Sequence, residues 1–163
     1  MGPHGESPHK IITADDLSGF KHIAWSPEGD RIAYKHWHQQ GDDIVVSVES
    51  SDLNGTNKTT ILSDNKLEDF AWVSSGRLIY SQNMEGYGSD YTADNLWEVR
   101  VDPKKGTPQG APRRLTDWSG FSVTGLSATA DGEHLQFLRS THHHSVFVGE
   151  FRTTETALLT PAD

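Results

Sequence analysis

Apolar and polar positions alternate in short bursts along most of the chain, and the bursts end in Gly, Asp, Asn, Ser or Pro. The stretch "HIAWSPEGDRIAY" (22–34) is the unit: an apolar run closing on Trp25, a Ser-Pro-Glu-Gly turn, and a second apolar run closing on Tyr34. Alternation of β-branched, aromatic and long aliphatic residues between such turns predicts strands, and no long segment shows apolar residues at helical spacing closed by caps. Within the turn, Pro27 presets φ and Gly29 accepts the positive φ that the geometry requires.

The unit recurs. "DFAWVSSGRLIY" (69–80) repeats it with one residue fewer between Trp72 and Tyr80, and "GLSATADGEHLQFL" (125–138) repeats it with Asp131-Gly132 at the turn and Ala128 in place of the tryptophan. Each copy is followed by two more strand-like runs: "DIVVSVESSDLNG" and "KTTIL", "NLWEVRVDPKKG" and "PRRLT", "SVFVGEF" and "TALLT". Four short strands per unit, with turn glycines at 29, 76 and 132, give a period of about 50 residues, the length of a four-stranded propeller blade. The expected fold is all-β: a β-propeller of four-stranded antiparallel blades with about three blades present, a partial or half propeller. The expected divisions are a flexible segment at 1–8, an orphan outer strand at 9–13, and blades at 20–62, 69–116 and 122–160. A blade cannot bury both faces alone, so Trp25 and Trp72 are expected to fill the space between blades.

"IAWSPEGDRIAY" resembles the Trp-Ser-Pro-Asp-Gly-Lys signature of the TolB-like, PD40-type (WD40-like) propeller repeat, with Glu28 for the usual Asp. "RRLTDWSGFSVTGLSATADGEHLQFL" is similar to the propeller region that follows the kinase domain in some bacterial, notably acidobacterial, serine/threonine protein kinases. The resemblance implies the propeller fold and an interaction or sensor role; any kinase activity would belong to another segment of a longer protein. If the chain belongs to a membrane-anchored kinase, it lies outside the cytoplasm.

Composition narrows the function. A net charge of −9 and a pI near 5.4 argue against a nucleic-acid binder, which needs a basic face. Without cysteine there is no disulfide, thiolate metal site or cysteine nucleophile. No apolar run reaches the length of a membrane span, so a soluble chain without direct membrane insertion is expected, its compartment undetermined.

Strand order assigns the loops to two rims. The B–C turns and D–A connections share one rim: "HWHQQGDD" (36–43), "NMEGYGSDYTADN" (83–95), "RSTHHHS" (139–145), "ADDLSGFK" (14–21), "SDNKLED" (63–69) and "DWSGFS" (117–122). Carboxylates, histidines and aromatics concentrate there, which makes that rim the candidate contact surface. The partner-binding candidates are His36, Trp37, His38, Asp42, Asp43, Tyr87, Asp90, Tyr91, His142, His143 and His144. Imidazoles two apart suit a transition metal, but their spacing reproduces no known metal motif, so no metal and no cofactor are expected. Asp15, Asp16, Asp42, Asp43, Asp64 and Asp69 follow no calcium-loop plan and read as turn residues. Trp118 is expected to pack on its own blade. No nucleophile elbow, phosphate loop or zinc-protease helix is present, and the expectation is a non-enzyme.

About three blades do not make a ring, since closed propellers have roughly four to eight. A fragment of a larger propeller, two copies closing a six-bladed ring, and an open self-stacking arc are the alternatives, and a self-associating fragment is the expectation. The leading functional reading is a non-catalytic module that binds a protein or peptide. The alternative is the propeller portion of an enzyme, either gating a peptidase or forming a metal-dependent lyase.

Overall fold

The computed structural model describes residues 8–83, 93–129, 131–141 and 145–146. The fold is all-β, with ten described strands in three antiparallel sheets. Blade 1 runs β1 (Ser18–Trp25), β2 (Arg31–Gln40), β3 (Asp43–Asp52) and β4 (Thr59–Ser63) in that spatial order. Blade 2 repeats the order with β5 (Leu67–Val73), β6 (Arg77–Asn83), β7 (Asp94–Val101) and β8 (Pro108–Arg114). A hairpin of β9 (Ser122–Ala128) and β10 (Leu135–Ser140) begins the third unit. Its remaining expected strands lie outside the described residues.

The apolar-turn-apolar unit forms the inner hairpin each time. Trp25 pairs with Ile32, Trp72 with Leu78 and Ala128 with Leu135, so the sequence repeat is also a repeat of register. All three inner strands carry a bulge, between Lys21 and Ile23, between Leu67 and Asp69, and opposite the Gln136–Leu138 step. At the first bulge His22 adopts φ 47°, a conformation that costs a non-glycine residue energy and re-aims its side chain.

Blades stack front to back. The back of blade 1 (Ala33, Val48, Ile61) joins the front of blade 2 (Phe70, Trp72, Leu78, Tyr80, Val99) in one buried cluster. The back of blade 2 (Ala71, Val73, Ile79, Leu96) joins Phe121, Val123 and Leu126 in another. Trp72 is thus 7% exposed, as expected of a residue between blades, whereas Trp25 is 60% exposed and Ile23 63%. The expectation for Trp25 needs correction: its ring stands on the front of blade 1, against which no sheet lies among the described residues.

Residues 9–13, expected as an orphan outer strand, form no ladder. The His9 ring donates from Nε2 to the Leu53 carbonyl (2.9 Å) on the β3–β4 turn, just as Thr59 of β4 donates to the Gly106 carbonyl (2.8 Å) on the β7–β8 turn.

Candidate functional site

The rim assignment follows from the register. The β2–β3 turn at Gly41–Asp42 and the β4–β5 connection at 64–66 meet at one end of blade 1, where the Val46 amide donates to Asn65 Oδ1 (3.0 Å). Asp15 and Asp64 each close a tight turn into an inner strand. The amides of Leu17 and Lys66 donate to their carboxylates at 3.1 and 2.8 Å, and the Leu17 and Lys66 carbonyls accept from the amides of Gln39 and Asn83. Asp16, Asp42 and Asp43 are exposed on the same rim and make no side-chain hydrogen bond among the described residues. On the opposite rim the aspartates serve the turns. Asp52 accepts from the Thr56 hydroxyl, the amides of Thr56 and Asn54, and the Asn57 side chain; these bonds, led by that of the Thr56 hydroxyl, hold its carboxyl down at about 2.

The segment expected as the loop 36–43 is mostly strand. β2 and β3 stay in register over ten pairs, up to Gln40 opposite Asp43, and Trp37 lies directly over Gly19, where a Cβ would sit 2.7 Å from the indole nitrogen. His36 and His38 therefore stand on the front of blade 1 instead of in a rim loop. Their rings stack at 5.2 Å, and Phe20 stacks on His36 at 5.0 Å. His36 Nδ1 bonds Glu49 Oε1 at 2.9 Å, which also accepts from Ser47 Oγ. Burial pushes the Tyr34 hydroxyl up to about 12, and the Glu49 charge adds to it. Asp42 and Asp43 remain on the rim. Tyr87, Asp90, Tyr91, His142, His143 and His144 lie outside the described residues.

A second constellation, which sequence reading passed over, ties the inner strands together. Asp69, read from the sequence as a turn residue, lies buried in β5. It accepts from the amides of Phe70 and Leu126 at 2.9 Å each and pairs with His22 Nδ1 at 2.7 Å. One carboxylate thus joins blade 1, blade 2 and the third unit. Burial pushes the Asp69 carboxyl up, but the His22 ring and the Leu126 and Phe70 amides outweigh it and hold the group below its ordinary value. Beside it, Lys35 Nζ donates to the carbonyls of Leu67 (2.6 Å) and Glu68 (2.9 Å), and burial lowers its pKa. Asp94 accepts from the Val123 amide through Oδ2 (2.6 Å), while its buried Oδ1 has no partner among the described residues; burial drives this carboxyl up. No sequence signal pointed to these roles: the bulges that bring His22 and Leu126 to Asp69 are visible only once register is known.

His22 and Asp69 form the geometry of a histidine-carboxylate dyad, but among the described residues no hydroxyl is bonded to the other ring nitrogen. Nor do the described residues contain a group of three or more His, Asp or Glu side chains arranged to hold a metal. Trp118 packs against Phe121 and Phe137 at 5.4 and 5.5 Å, and Asn95 brackets its backbone. No described helix is long and apolar enough to cross a membrane, which says nothing of a strand-built span.

No protein-family model matches the chain, and no curated protein matches it. Two solved structures are similar in fold. One, from a structural and mechanistic study of two prolyl endopeptidases, is 21% identical with a TM-score of 0.54 over 77% of this chain and 18% of that one. The other is prolyl oligopeptidase B from Galerina marginata bound to a 35mer hydrolysis and macrocyclization substrate; it is 21% identical with a TM-score of 0.51, over 80% of this chain and 20% of that one. The chain therefore spans about a fifth of the length of either, and the likeness is one of fold: blades of a partial β-propeller.

Proposed function

We propose that these blades form a non-catalytic propeller module that binds a protein or peptide partner of positive charge. The observation that supports this most is the rim bearing Asp15, Asp16, Asp42, Asp43 and Asp64, on a chain of net charge −9. The connections there are held by the sheets, so the carboxylates are presented at fixed spacing without ordering a long loop on binding. A second reading, the propeller portion of a peptidase, is favoured by the two prolyl peptidases of similar fold. In that reading the same rim meets the peptide before a catalytic centre carried on another segment.

Calorimetric titration with a lysine-rich, proline-containing peptide and with its glutamate counterpart tests the proposal. The basic peptide binds, raised salt weakens it, and Asp42→Lys/Asp43→Lys weakens it roughly tenfold, as expected for rim charges that steer a partner. Equal binding of the two peptides, or indifference to charge reversal, overturns the role of the rim. Turnover of a chromogenic prolyl substrate by the purified chain overturns the non-catalytic assignment.

A further inference from the structure

We propose that Asn54 is a self-modifying site: its side-chain amide is attacked by the Gly55 backbone nitrogen and becomes aspartate or isoaspartate, at a rate set by the β3–β4 turn that carries it. Among the asparagines of the chain, Asn54 alone is followed by glycine, which puts no side chain in the way of the attacking nitrogen. Asn54 is exposed, and its side chain makes no hydrogen bond among the described residues. The others are held. Asn57 Nδ2 donates to Asp52 Oδ2 (2.8 Å), Asn65 Oδ1 accepts from the Val46 amide (3.0 Å), and buried Asn95 accepts from the Thr116 hydroxyl and the Trp118 amide. The fold itself requires glycine at 55, where φ is 74° and a Cβ would strike the Ile11 carbonyl.

The reaction needs only water. The Gly55 nitrogen gives up its proton and bonds to the Asn54 side-chain carbonyl carbon; the bond from that carbon to the side-chain nitrogen breaks, and ammonia leaves with the proton. Water then opens the cyclic imide at either carbonyl. One opening gives aspartate, and the other gives isoaspartate, in which the main chain runs on through the former side chain. Either product replaces a neutral amide by a negative charge.

The turn restrains this chemistry. The attacking Gly55 amide donates to the Asp52 carbonyl (3.0 Å) and must release it first. The Asp52 carboxylate fastens the turn around it, accepting from the amides of Asn54 (3.0 Å) and Thr56 (2.8 Å) and from the Thr56 hydroxyl (2.6 Å). On the other side His9 bonds the Leu53 carbonyl and Ile11 presses on Gly55. Attack therefore waits on local opening of the turn, which costs less than unfolding the sheet. Isoaspartate lengthens the main chain by one carbon beside Gly55, which has no room to shift against Ile11, so residues 9–11 come away from the modified turn.

Incubating the folded chain at mildly alkaline pH and mapping its peptides by mass spectrometry tests this. The peptide carrying Asn54 gains about 1 Da, part of it becomes a substrate for isoaspartyl methyltransferase, and Asn54→Gln abolishes both. Asp52→Ala speeds conversion roughly tenfold by loosening the turn; if circular dichroism shows that variant unfolded, Thr56→Ala, which removes one hydroxyl bond, speeds it severalfold. A folded chain that keeps Asn54 intact over roughly a hundred times the conversion time of the urea-unfolded chain overturns the proposal, as does modification that falls first on another asparagine. A rate indifferent to both Asp52→Ala and Thr56→Ala overturns the control by the turn.

Discussion

Removing the Asp69 carboxylate by Asp69→Ala withdraws the acceptor from two strand amides, Phe70 and Leu126, and from the His22 ring, across three sheets. Asp69 is only 6% exposed, so water does not readily replace the carboxylate. Each buried donor left unmade costs about 1–3 kcal/mol. The donors share one acceptor, so their costs do not add, and a loss of roughly 2–4 kcal/mol is expected against typical domain stabilities of about 5–15 kcal/mol. Urea denaturation at neutral pH followed by tryptophan fluorescence measures it. Asp69→Asn keeps the shape and one carbonyl oxygen, and should recover part of the loss. A double-mutant cycle of Asp69→Asn with His22→Ala should show coupling of about 1 kcal/mol or more. A loss below about 1 kcal/mol for Asp69→Ala, with no coupling to His22, would refute the reading of this carboxylate as a tie between blades.

The two buried aspartates should bend the acid limb of stability in opposite directions. Asp69 titrates below its ordinary 3.8 in the fold, so its contribution is complete above that value and is lost as pH falls through the lowered one; Asp94 titrates above 3.8, so its contribution is complete below that value and is lost as pH rises through the raised one. Asp69→Asn should therefore make stability fall less on acidification and Asp94→Asn make it fall more, in urea melts at several pH values; shifts of the same sign would refute the pairing. Trp72→Ala should cost about 3–5 kcal/mol, as for a buried aromatic, while Trp25→Ala should cost under about 1 kcal/mol; equal costs would contradict the difference in exposure between the two rings.

The amino-acid sequence by itself determined the strands, their turns and the blade repeat. Period-two alternation and the residues at Ser26–Gly29, 74–76 and 131–132 act over a few neighbouring positions, and local sterics decide them wherever the hairpin finds itself. It also indicated which rim Asp42 and Asp43 occupy, because that follows from counting strands. Only the tertiary structure decided what those strands face. Trp25 and Trp72 occupy the same place in the repeat, yet one stands in solvent and the other in the core, because burial depends on whether a sheet lies opposite and not on the motif. His36 and His38 moved from an expected rim loop to a strand face because the β2–β3 ladder runs on to Gln40. Asp69 looked like one more turn carboxylate until the bulges set the register of β1 and β5. That register brings His22 and the Leu126 amide, from two other sheets, onto one buried carboxylate.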